Sequence, residues 1–138
     1  MFKKLILLLI LSLFSVQVFA LEWAYEKEIK LKKDEFFSVW VETQSEKKLL
    51  KFRWTLFTNS NLVLLRVFDA FNYHHIVTEQ YPRNSVKFDV GVRSEKYREK
   101  PYMLLKFDSF DVKKNEAVFK LLLNDKTGLI NIKMIKKK

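Results

Sequence analysis

No cysteine occurs in this chain, and glycine and proline come to two residues each. The first absence excludes disulfides, thiol catalysis, thiolate zinc sites and anchoring through a lipidated N-terminal cysteine. With Gly91 and Gly128 as the whole glycine complement, glycine-rich phosphate loops and nucleotide fingerprints are excluded as well. So little glycine and proline also leaves no flexible linker, and neither repeats nor low-complexity segments are visible. Histidine is equally scarce, with His74 and His75 the only pair. Serine-hydrolase elbows and paired-histidine helices are missing. In "FDSFDVKKNE" the acids Asp108, Asp111 and Glu116 lack the central glycine and terminal acid of a calcium loop. Nothing specifies a reaction, a metal or a cofactor, and the chain reads as non-enzymatic.

Long apolar runs are confined to the start. "MFKKLILLLILSLFSVQVFA" has a short positive beginning at Lys3 and Lys4, an uncharged run from Leu5 to Val16, and Val18-Phe19-Ala20 before a break. This is the pattern of a cleaved signal peptide over residues 1–20. The rival, an uncleaved anchor, is short against the roughly 20 apolar residues that a spanning helix needs. A single domain over 21–138 is therefore expected, with no transmembrane helix in the mature chain. Heavy use of lysine, asparagine, phenylalanine and isoleucine, together with the leader, points to the periplasm of a bacterium.

Acids are outnumbered, 16 against 26 lysines and arginines, giving a net charge of +10. Loss of residues 1–20, which carry Lys3 and Lys4 and no acid, lowers it to +8. Such a surface favours an envelope protein with an acidic face, an anionic polymer or a lipid surface. Nucleic acid is a poor partner after export, and a cationic muramidase would be repelled. Lysine is concentrated at the two ends, "EIKLKK" and "IKMIKKK", which makes Lys136, Lys137 and Lys138 candidate contacts. The rival view is that lysine merely solubilises the surface.

What the chain does have is alternation. Trp23, Tyr25, Ile29 and Leu31 alternate with polar residues, Lys27 being the exception, and period two is the mark of a half-buried strand. Phe37, Val39 and Val41 form the apolar face of a second strand. Leu50, Phe52, Trp54 and Leu56 form that of a third, after the polar turn "SEKK". "TNSN" at 58–61 is a turn. "LVLLRVFDAF" at 62–71 is apolar at nearly every position, which suits a central strand buried on both faces, although a helix capped by Asn61 is the alternative. "YHHIVTEQY" follows, closed by the turn Tyr81-Pro82-Arg83-Asn84. "SVKFDVGV" alternates most cleanly, with Val86, Phe88, Val90 and Val92 on one face. Residues 93–100 form a charged connection with room for one helical turn. "YMLLKFDSFDV" and "EAVFKLLL" are two more strands, "NDKTG" at 124–128 reads as a hairpin loop, and "LINIKMI" closes the domain.

Eight or nine strands with short connections imply an antiparallel all-β domain. A β-sandwich, immunoglobulin-like or similar, is preferred over a small β-barrel, because the run at 62–68 is apolar on both faces. The outline resembles an exported immunoglobulin-like sandwich, but it lacks the cysteine, tryptophan and cysteine spacing of true immunoglobulin domains.

For function, His74 and His75 are strand neighbours and point to opposite faces, so they cannot ligate one metal together. One is expected to face solvent and the other to pack beside Tyr73 or Tyr81. Tyr73, Tyr81, Tyr97 and Tyr102, with Arg83, Arg93 and Arg98, are candidates to line a groove for a peptide or sugar. The expected function is an exported binding or adaptor module for another envelope protein or polymer, with pairing of an exposed sheet edge to an incoming strand as one means. The alternative is a β-barrel carrier of a lipid or other apolar ligand, lined by the 18 aromatics that remain once Phe2, Phe14 and Phe19 are removed from 21.

Overall fold

The computed structural model describes residues 23–91 and 100–135. Nine strands are formed: β1 Tyr25–Lys32, β2 Phe37–Glu42, β3 Lys47–Thr58, β4 Asn61–Phe68, β5 Phe71–Thr78, β6 Ser85–Asp89, β7 Tyr102–Asp111, β8 Glu116–Asn124 and β9 Asn131–Met134. They make two antiparallel sheets, β1-β8-β7-β6 and β5-β4-β3-β2-β9, which pack face to face and do not close into a barrel. The sandwich is thus the architecture, and the barrel alternative falls. No described helix is long and apolar enough to cross a membrane.

The chain runs as two meanders, β2 to β5 and β6 to β8, whose flanking strands are exchanged: β1 joins the second sheet and β9 the first. Consequently 124–130 is a crossing between sheets and not a hairpin loop. Asp125 organises it by accepting from the Thr127 and Ile130 N–H groups. Gly128 takes φ 69° there, a conformation that suits a residue without Cβ.

Alternation places Phe37, Val39 and Val41 inside, opposite Ile29, Leu31, Phe119, Leu121 and Met103 in one continuous core. Phe52 meets Phe119 edge-on at 5.4 Å. Trp54 is buried, and its indole N–H donates to the Leu31 carbonyl at 2.8 Å. This bond ties the sheets together where the chain leaves β1 for β2.

Parity fails at two bulges. The β3–β4 register shifts between Trp54 and Leu56, so Leu56 is exposed and Phe57 turns towards the core, where it stacks on Phe110 at 4.0 Å. An extra residue moves every later side chain to the other face. A matching shift lies between Phe107 and Ser109.

The expected strand 62–71 is also broken. Asp69 and Ala70 have φ of 52° and 66° and form a two-residue hairpin turn, so Phe71 begins β5. Leu62, Leu64, Arg66 and Phe68 of β4 face inward and are buried, whereas Val63, Leu65 and Val67 lie half-buried on the outer face. β4 is therefore not a strand buried on both faces.

Removing the Trp54 side chain empties the middle of this core and orphans the Leu31 carbonyl. Trp54→Ala is expected to cost about 3 to 5 kcal/mol, read as a lower urea midpoint at unchanged slope.

Candidate functional site

Five strands face four, and the overhanging one is β5. Its inward series is Phe71, Tyr73, His75 and Val77, set by pairing with Phe68, Arg66, Leu64 and Leu62. Val77, next to the turn into β6, is only 2% exposed, but exposure reaches 42% at Tyr73 and 63% at Phe71. The sandwich thus opens along β5, and residues in core register meet solvent.

The outward series is Asn72, His74, Ile76 and Thr78, of which Ile76 is 71% exposed. The tight Phe68–Phe71 turn fixes which backbone groups reach β4: those of 71, 73, 75 and 77. The N–H and C=O groups of Asn72, His74 and Ile76 therefore point to the open side. Thr78 is the exception, since its N–H donates to the Arg83 carbonyl at 3.0 Å.

Most edges are blunted with charge. β1 carries Glu26, Glu28, Lys30 and Lys32; β6 carries Lys87 and Asp89; β9 is four residues long and carries Lys133. "FNYHHIVT" of β5 contains neither a lysine nor an acid nor a proline.

Behind this strand lies Arg66, at 5% exposure one of two buried polar residues among those described. Its guanidinium carbon sits 4.3 Å from the ring centre of Tyr73 and 4.3 Å from that of Phe88 in β6. Its Nε donates to His75 Nε2 at 3.3 Å. Arginine can only donate, so this nitrogen of His75 accepts and the ring proton lies on Nδ1. Tyr73 and His75 stack, with centroids 6.3 Å apart. Among the described residues no carboxylate pairs with Arg66, although seven other ion pairs form.

Burial lowers the pKa of Arg66 from its ordinary value, a trend that Tyr73 opposes. Burial also lowers that of His75, and the charges of Arg66 and His74 push the same way. Taking a guanidinium out of water costs several kcal/mol, and cation–π contact with a desolvated ring returns about 2 kcal/mol or more each.

The sequence candidates separate. His74 is exposed on the outer face opposite Leu65, while His75 joins Tyr73 and Arg66. Tyr81 and Arg83 lie in the turn between β5 and β6, whose Tyr81–Pro82 bond is cis. There they help line a shallow cavity of about 360 Å³ with Ser60, Thr78, Gln80 and Pro82. Tyr102 lies elsewhere, edge-on to Trp23 at 6.3 Å and beneath Lys87. Arg93, Tyr97, Arg98, Lys136, Lys137 and Lys138 fall outside the described residues, as does the leader at 1–20.

Sequence reasoning missed Arg66 and Ile76. A lone charge in the inward register of "LVLLRVF" was the available signal for the first. Among the described residues, no group of three or more histidines and acids gathers to hold a metal. The chain matches no family model, and no curated protein or solved structure matches it.

Two outcomes are expected here. His75 is flanked by Arg66 from β4, by Tyr73 and His74 on its own strand, and by Phe88 across the gap through Arg66. Its folded pKa lies below the unfolded value of about 6.5, so the unfolded chain protonates first as pH falls. Stability is full above that value and declines below it. The urea midpoint should therefore drop as pH falls below about 6.5, with His75→Gln flattening part of the slope. Secondly, Arg66→Met should leave the thermal midpoint nearly unchanged, because the desolvation cost of the cation and the ring contacts that offset it are lost together.

Proposed function

We propose that the protein is an exported, non-enzymatic binding module that takes an extended segment of an acidic partner protein along the open edge of β5. The observation that carries this reading is that β5 alone among the edge strands has no charge or proline to blunt it, while Phe71, Tyr73 and Ile76 are exposed on its two faces. An added strand would gain main-chain bonds from Asn72, His74 and Ile76, and its alternate side chains would meet those three apolar residues.

Charge supports the nature of the partner. Residues 21–138 carry +8, the total of +10 less Lys3 and Lys4, which disfavours a second copy of itself and favours an acidic segment. Basic groups also dominate the outer face of the five-stranded sheet: Lys51 and Arg53 lie 4.3 Å and 4.8 Å from the Phe36 ring, and Lys47 lies 4.6 Å from that of Trp40. Asp34 pairs with Arg53 and Glu42 with Lys47, whereas Lys51 pairs with no acid among the described residues. Export rests on the leader-like sequence of residues 1–20, and the periplasm is the compartment that the composition favours.

A proline discriminates. At position 74 the N–H points to the open edge, so His74→Pro removes a donor for an incoming strand without removing a bond to β4. At 73 it removes a ladder bond instead. His74→Pro is expected to retain the fold by circular dichroism and to abolish retention of the envelope protein that the parent chain captures. Retention unchanged by His74→Pro would refute edge pairing. A parent chain that is a dimer in sedimentation, and becomes a monomer on His74→Pro, would show that the edge serves self-association instead.

A further inference from the structure

We infer that Arg66 is a carboxylate-recognition site, reached through the gap between β5 and β6 and filled by an acidic side chain that the strand on β5 directs inward. The inference rests on the edge-pairing reading for the source of the carboxylate, but its own footing is the guanidinium. Arg66 is 5% exposed and makes one side-chain hydrogen bond, from Nε to His75. Its two Nη atoms have no hydrogen-bond partner among the described residues. They are not fully sealed off, since among the described residues the only fully buried polar side-chain atom left without a partner is Arg53 Nε.

The surroundings hold this group ready. Tyr73 and Phe88 clamp the guanidinium plane from two sheets, and His75 fixes Nε, so the edge bearing the Nη atoms is presented without further ordering of a long side chain. A planar fork of N–H donors matches a carboxylate in two parallel bonds. Desolvation, which makes a lone cation costly here, makes a paired one strong.

The geometry also selects where the acid comes from. A strand laid against β5 alternates its side chains between the outer face, beside His74 and Ile76, and the inner side, beside Tyr73 and His75. Inner residues enter the opening that widens from Val77 to Phe71. One acid at an inner position, flanked by apolar or small residues, is the corresponding motif.

The test uses the full mature chain and three probes: acetate, an end-capped heptapeptide of alternating threonine and valine with one central glutamate, and its glutamine counterpart. The readouts are the Arg66 Nε–H signal and the backbone amides of Asn72, His74 and Ile76 in nitrogen-proton correlation spectra. The expected result is that both peptides shift the edge amides, that only the glutamate peptide and acetate shift Arg66, and that glutamate binds roughly tenfold more tightly, or about 1.4 kcal/mol. In Arg66→Met that preference should vanish while the edge amides still respond. Edge amides that respond to both peptides, with Arg66 silent to the glutamate peptide and to acetate, would overturn the carboxylate site and leave edge pairing standing. An Arg66 response to acetate with silent edge amides would keep the site and overturn the strand as its source. Silence throughout would overturn both.

Discussion

Five strands packed against four leave β5 covered at one end only, and the exposed apolar positions along it descend from that mismatch. β5 inherits the inward register of a core strand from its hairpin with β4, yet only Val77 is buried and His75 half-buried. Hydrophobic burial would be gained by a longer β6 or by a fifth strand in the smaller sheet. Neither is present among the described residues, so Phe71 and Tyr73 stay in water at positions where the rest of the sandwich hides such side chains.

Arg66 is a consequence of the same mismatch. An arginine in the inward register of a fully covered strand would strand its charge in the core. Here the cation lies where the two sheets part, clamped by Tyr73 from one and Phe88 from the other. Trp54 marks the opposite extreme, where the sheets are tied by its bond to Leu31 and the side chain is buried. The tightly tied end and the open end thus lie apart along the sandwich, and the proposed carboxylate site belongs to the open one, on strands rather than loops.

Much of the fold was legible because strand faces write themselves at period two. Phe37, Val39 and Val41, and again Val86, Phe88 and Val90, were placed correctly by alternation alone. Leu56 was misplaced because a bulge changes parity without any local signal in "RWTLFT", which brings Phe57 towards the core in its stead. The Asp69–Ala70 turn escaped notice since it adopts left-handed backbone without glycine or asparagine. The 124–130 connection looked like a hairpin, for the exchange of end strands between sheets is a long-range property that no short window contains. The candidate site was half legible: His75 and Tyr73 belong to it, but Tyr81, Arg83 and Tyr102 do not gather with them, and the apolar run of β4 concealed Arg66.

The central claim is that β5 presents an unoccupied pairing edge, and amide hydrogen exchange on the full mature chain alone tests it most directly. The account predicts alternation along one strand: slow exchange at Tyr73, His75 and Val77, whose N–H groups bond β4, and fast exchange at Asn72, His74 and Ile76, whose N–H groups meet solvent. Uniform protection across residues 72–77 would contradict it, because it would mean that the edge is already covered and is not the surface through which the protein takes a partner.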